Sequence, residues 1–222
     1  MTKGPISAAT VGRLPTYLRA LLDLATDDTA TVSSDGLADL VGVNAATVRR
    51  DLASLDIVGT RGVGYDVKYL VYEISIELGL NQEWPVVVVG AGNLGRALAN
   101  YKGLAERGFP IRCLCDIDEA KVGTEVSGLP VCHLDELPVL VPELGIAVGV
   151  IATPVEGAQE AADRLVAAGV NSVLNFTAHP ILVPGGVLVR RVDLATELQI
   201  LSFYQQRGVA ASGGTGVPLG ST

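Results

Sequence analysis

Apolar residues change their spacing partway along the chain, and that change predicts its layout. From Val11 onward Leu14, Leu18, Leu21, Leu22 and Ala25 recur at helical spacing, while Arg13, Arg19 and Asp23 fall largely off that face. This predicts an amphipathic first helix, with residues 1 to about 10 frayed ahead of it. Ser33 and Ser34 suit an N-cap before Leu37-Ala38-Asp39-Leu40, and Gly42 suits a stop. Asn44 suits the cap of another helix, Ala45 to about Leu55, with Val48, Leu52 and Leu55 turned inward. Gly59-Thr60-Arg61-Gly62-Val63-Gly64-Tyr65 then reads as a glycine-rich turn between short β-prone pieces. A further helix from Asp66 to about Leu80 places Leu70, Ile74 and Leu78 at four-residue steps.

After Trp84 the helical period gives way. The four valines from Val86 cannot alternate between a wet and a dry face, so they suit a strand buried on both sides of a parallel sheet. Ile111 to Cys115, Ile146 to Ala152, Ser172 to Phe176 and Gly186 to Arg190 read as further strands, with helices at Leu94 to Ala99 and Glu156 to Ala168. Gly123 to Val131 is turn-rich with a short strand, and Asp135 to Pro138 starts a loop or short helix. Strands alternating with helices predict an α/β architecture, a doubly wound parallel sheet with its ligand crevice at the strands' carboxyl ends. A last helix, Asp193 to Gln206, carries Leu194, Leu198, Leu201 and Phe203 after the sheet is complete, so its apolar face calls for another subunit. From Gly208 the chain is rich in Ala, Ser and Gly and is expected to be disordered.

Two stretches carry candidate chemistry. In GAGNLGRAL, Gly90, Gly92 and Gly95 fall in the GxGxxG spacing straight after a strand and at the head of a helix. Gly90 serves the tight turn, Gly92 lets backbone approach a pyrophosphate, and Gly95 lets helix and strand pack closely. Asp116 ends the second strand about 20 residues on, where a carboxylate holds the adenine ribose of NAD and repels the 2′-phosphate of NADP. The predicted NAD(H) site is Gly90, Ala91, Gly92, Asn93, Leu94, Gly95, Arg96, Asp116, Thr153, Pro154, Asn175 and Phe176, in a Rossmann-like domain. A structural glycine turn is the alternative, with Asp116 solvated and Thr153 and Asn175 as ordinary loop caps. Upstream, the short helix, Gly42 turn and following helix form a helix-turn-helix, whose outward face presents Thr47, Arg49, Arg50 and Ser54 to a major groove. The glycine-rich turn has the look of a wing, with Arg61 available for backbone or minor-groove contact. Here the alternative is a helical packing domain whose arginines are a solvated surface.

Charge qualifies the second reading. The 222 residues carry a net charge of −8, and even residues 1–80 hold seven Lys/Arg against ten Asp/Glu. Binding to DNA therefore depends on the placement of a few arginines rather than on a basic field. An apolar fraction of 49% is ample for a packed core, and no apolar run approaches the roughly 20 residues that span a bilayer. A cytoplasmic protein without a membrane partner is expected. Cys113, Cys115 and Cys132 suit reduced core thiols, and His133 and His179 lie in no metal-ligand spacing. No metal site or catalytic residue is expected.

The chain resembles the Rex family, bacterial redox-sensing transcriptional repressors. The likeness covers about residues 9–206. It rests on Arg13-Leu14 with Tyr17-Leu18-Arg19, on Val48-Arg49-Arg50-Asp51-Leu52, and on GTRGVGYDV from Gly59. It continues through GAGNLGRAL, Asn100-Tyr101, Ile151 to Pro154, Ala167 to Val170, Leu174 to Phe176, and Val192 to Gln199. The resemblance implies a homodimer that binds palindromic double-stranded operator DNA and is released by NADH, so that it senses the NADH/NAD balance. It further implies a winged-helix DNA-binding domain over 1–82, a Rossmann-like NAD(H) domain over 83–192, a helix over 193–207 exchanged between subunits, and a tail over 208–222. In the resemblance Tyr101 pairs with Asp193 in the NADH form, and Arg19 takes Asp193 in the DNA-competent form. The sequence departs from the family pattern at Ala53 to Val58, where Asp56 adds charge, and at Thr177-Ala178. A nicotinamide-dependent dehydrogenase and a CoA-binding module, whose sheet carries similar Ile-Ala-Thr-Pro and Leu-Asn-Phe segments, are the alternatives. Against a dehydrogenase, residues 84–190 leave no room for a substrate domain.

Overall fold

Helix α1 (Ala8–Thr26) begins earlier than its apolar period suggests, because Ser7 caps it by accepting the Thr10 N–H at 3.1 Å. Residues 8–10 are therefore helical rather than frayed, and Thr10 is buried. The computed structural model describes residues 6–207, in two compact units with the break between Asn81 and Gln82. The predicted tail from Gly208 lies outside the described residues.

In the first unit, α1 is followed by β1 (Thr31–Val32), α2 (Ser34–Val41), α3 (Ala45–Ser54), β2 (Tyr65–Asp66) and α4 (Val67–Glu77). Ser33 and Asn44 cap α2 and α3 through the Gly36 and Thr47 N–H groups, at 2.9 and 2.8 Å. Strand β1 pairs antiparallel with β2, and a Thr60–Gly64 bridge closes the turn beyond it as a small wing. Leu14, Leu21, Leu37, Leu52, Leu70 and Ile74 bring all four helices into one apolar core.

The second unit comprises β3 (Val86–Val89), α5 (Asn93–Asn100), β4 (Ile111–Asp116), β5 (Glu125–Val126), β6 (Leu129–His133) and α6 (Leu137–Glu143). There follow β7 (Val148–Ile151), α7 (Ala158–Ala167), β8 (Ser172–Asn175), β9 (Leu188–Arg191) and α8 (Leu194–Gln206). The sheet order is β5-β6-β4-β3-β7-β8-β9, with only β5 antiparallel to its neighbour. Leaving out the β5 edge, this is the 3-2-1-4-5-6 order of dinucleotide-binding sheets, with the switch point between β3 and β7. All four β3 valines are buried as their uninterrupted run requires: Val87 and Val89 pack with Leu137 of α6 and Leu165 of α7, and Val86 and Val88 pack on the α5 side. On that side an apolar cavity of about 370 Å³, lined by Leu98, Phe109, Val150, Leu174, Phe176 and Leu188, lies over β7 to β9. No residue of α8 is buried.

Candidate functional site

The crevice at the switch point is built from strand ends. Past β3 the ladder runs on by one residue each way: Gly90 donates to the Cys115 carbonyl at 2.7 Å, and Ala152 donates to the Val89 carbonyl at 2.8 Å. Gly90 turns with φ +106°, and a Cβ there would stand 2.6 Å from the Ala152 carbonyl oxygen, so only glycine lets the two turns pass. A Cβ on Gly95 would lie 1.9 Å from the Gly90 carbonyl oxygen, which places α5 hard against the turn. Gly92 differs, for a Cβ there would meet nothing within 4 Å. It occupies the N-cap position of α5, where no side chain takes the free N–H groups. Those donors and the positive end of the helix suit a phosphate.

Across the crevice the Thr153 hydroxyl is buried with no hydrogen-bond partner. An unsatisfied hydroxyl just past β7, together with uncapped N–H groups and open ground at Gly92 at the head of α5, fits a polar ligand such as a dinucleotide. Asp116 is buried and serves the turn directly: Oδ2 accepts the Ala91 N–H at 2.8 Å and lies 3.1 Å from Lys121 Nζ, while Oδ1 accepts the Asp118 N–H at 3.0 Å. Burial alone would push its carboxyl pKa up, but the Asp118 and Ala91 N–H groups and the Lys121 ammonium outweigh that and hold it low. The sequence offered no signal for Lys121, which is also 3.4 Å from Asp118.

The remaining predicted crevice residues divide by role. Asn93, Leu94 and Arg96 are exposed on the first turns of α5, and Pro154 is exposed past β7. Asn175 is buried and folds its own turn, accepting the Thr177 N–H and hydroxyl at 2.9 and 2.8 Å and donating to the His179 carbonyl at 3.0 Å. Half-buried Phe176 lines the apolar cavity instead of facing open water. Tyr101 stands exposed just past α5, its ring occupying the space that a Cβ on Gly103 would fill. Asp193 accepts the Ala195 and Thr196 N–H groups at 3.0 and 3.3 Å and so caps α8.

On the first unit, Arg49 and Arg50 are exposed on α3 and Arg61 on the wing. Arg49 donates to the Ser34 hydroxyl at 2.8 Å, whereas no hydrogen bond or ion pair joins the side chain of Arg50 or Arg61 to another described residue. The Thr47 hydroxyl is drawn into its helix cap by Asn44 at 3.0 Å, and the Ser54 hydroxyl donates to the Asp51 carbonyl at 2.6 Å. Arg19 is exposed on α1. Arg13, expected off the apolar face, instead turns inward to a buried Asp51, 2.7 Å away.

A winged helix-turn-helix unit followed by a dinucleotide-type crevice defines a class: transcription regulators built around a nucleotide-binding sheet. Family models match in the same order, "Putative DNA-binding protein N-terminus" over residues 5–53 and "CoA binding domain" over residues 81–179. The redox-sensing transcriptional repressor Rex of Streptomyces avermitilis is 58% identical over 91% of this chain and 80% of its own length. Rex of Streptomyces coelicolor is 55% identical over 96% and 84%. Among solved structures, the Rex-family repressor RSP superposes with a TM-score of 0.85 at 32% identity, covering 93% of this chain and 96% of its own. RSP has also been crystallised with NAD⁺ and operator DNA, and with NADH, at TM-scores of 0.84 and 0.83. The chain belongs to the Rex family of redox-sensing transcriptional repressors. It is thus a regulator rather than a dehydrogenase, and the CoA-domain match describes the type of sheet.

Proposed function

We propose that this chain represses transcription by holding operator DNA through α3 and the wing, and lets go when NADH is bound between β3 and β7. The reading rests on the Gly90–Gly95 turn, where Gly92 faces open ground, the head of α5 is uncapped and the Thr153 hydroxyl has no partner. These groups would hold the pyrophosphate, and Asp116 would set the turn through Ala91 while facing the adenine ribose. The bound cofactor supplies a nicotinamide ring that is neutral when reduced and cationic when oxidised. Apolar Phe176 and the Tyr101 ring would favour the neutral form.

Arg50 and Arg61 would reach base edges or phosphates, with Arg49 set toward the backbone by Ser34. The operator is palindromic because the repressor works as a homodimer, with α8 exchanged so that Leu194, Leu198, Leu201 and Phe203, all exposed in the single chain, become buried. Asp193 would change partner between Tyr101 and Arg19 as the dimer changes state. A coupling of about 1–3 kcal/mol per site would alter operator affinity by about 5- to 150-fold. The protein acts in the cytoplasm, where its operator and the NADH pool are found; no described helix is long and apolar enough to cross a membrane.

Calorimetric titration of the purified protein with NADH, NAD⁺, NADPH and CoA tests the cofactor half. NADH should bind most tightly, and a preference for CoA would overturn the assignment. Arg50→Ala should weaken binding to the gene's own upstream DNA while leaving NADH affinity unchanged.

A further inference from the structure

We propose that Asp51 is the joint through which α1 fixes the orientation of α3, so that operator recognition depends on a buried polar quartet as well as on the arginines that face DNA. The proposal rests on the reading that α3 enters the major groove. Asp51 directly follows Arg49 and Arg50, yet its side chain is only 2% exposed. Its carboxylate receives four hydrogen bonds from α1: Thr10 Oγ1 to Oδ1 at 2.9 Å, Arg13 Nη2 to Oδ1 and Nε to Oδ2 both at 2.7 Å, and Tyr17 OH to Oδ2 at 2.7 Å. Each oxygen therefore accepts two, and the three donors stand three and four residues apart on one face of α1.

Stability alone does not account for this arrangement. Burying an ion pair has a desolvation cost that the attraction often only matches, and well-packed apolar groups of similar volume do as well or better. The unit already has Leu14, Leu21, Leu37, Leu52 and Leu70 in its core. The hydrophobic effect is non-directional, so apolar burial sets a helix's rotation and register less sharply than directed hydrogen bonds do. A planar guanidinium gripping both carboxylate oxygens fixes register and rotation together. Base-edge readout needs that precision, because the arginines sit one and two residues before the joint. Arg19 lies two residues beyond Tyr17 on α1, the helix that carries the three donors, and the quartet joins that helix to α3 alongside the apolar contacts of Leu14 and Leu21 with Leu52.

The test uses the full-length protein and two duplexes of equal length, the operator and a scrambled sequence, at several salt concentrations. Asp51→Asn, Tyr17→Phe and the apolar quartet Thr10→Val/Arg13→Met/Tyr17→Phe/Asp51→Leu are compared with wild type, and melting temperatures are recorded alongside. The expected result is about a tenfold or greater loss of preference for operator over scrambled DNA in Asp51→Asn and in the quartet, with scrambled-DNA affinity and its salt slope unchanged. Tyr17→Phe, which keeps the ring and loses one hydrogen bond, should lose part of that preference and carries the test if the quartet does not fold. A quartet with wild-type melting and full operator preference would overturn the joint, as would full preference in folded Asp51→Asn. Arg50→Ala is the control. If it leaves operator affinity untouched, the recognition-helix reading fails; if it abolishes that preference while the quartet keeps it, only the joint fails.

Discussion

The three fingerprint glycines meet different surroundings, and that difference separates cofactor binding from folding. Gly92→Ala adds a methyl into open ground at an ordinary φ of −83°, so stability should fall by no more than the roughly 1 kcal/mol of a poorer N-cap while NADH affinity falls. Gly95→Ala drives a methyl into the Gly90 carbonyl and should lower both, read by calorimetry and thermal melting. A Gly92→Ala protein with unchanged NADH affinity would remove the turn from the site. Asp56 offers a prediction of the opposite sign. It follows α3 with φ +62°, a left-handed position that costs an L-residue about 1 kcal/mol, and the Ile57 N–H closes the end of the helix on the Leu52 carbonyl at 3.0 Å. Asp56→Gly should raise stability by about that amount and, by removing a negative charge beside the recognition helix, tighten operator binding most at low salt. The glycines were legible in the sequence because each has a local geometric duty. The Asn175 and Asp116 side chains were less so, since the groups they bind are set by a turn and a sheet.

At the scale of elements, caps and periods foretold α2 to α4 and the alternation of strands with helices, whereas the start and polar face of α1 were hidden. Its partner Asp51 lies 38 residues from Arg13, and no local spacing announces an ion pair at that range. That pair sets an acid limit on the first unit. Burial pushes the Asp51 carboxyl up, but hydrogen bonds from Arg13, Tyr17 and Thr10 more than offset it and hold it below the ordinary aspartate value. The folded state therefore takes up a proton less readily than the unfolded one. The contribution is present above the unfolded pKa of about 3.9 and is lost as pH falls through the lower folded value. Melting of wild type should drop more steeply than that of Asp51→Asn as pH falls below the ordinary aspartate value of about 3.9; parallel curves would contradict the assignment. Helix α8 is the other telling element. It buries nothing in the single chain, so ending the protein after Val192 should leave the sheet folded but yield a monomer, with analytical ultracentrifugation as the check.

For the whole molecule, the account requires two units of one chain to be energetically linked, and linkage is reciprocal: if NADH lowers affinity for operator, operator must lower affinity for NADH by the same factor. Each unit was legible alone, the first from caps and a glycine-rich wing, the second from GAGNLGRAL, Asp116 and uninterrupted valines. Their coupling was not, because it lies in populations of states rather than in any residue pattern. The most direct measurement is operator affinity by fluorescence anisotropy across a series of NADH to NAD⁺ ratios at fixed total cofactor. The account predicts a fall of about 5- to 150-fold as the pool becomes reduced, with full binding restored by excess NAD⁺. Equal affinity at every ratio would contradict it.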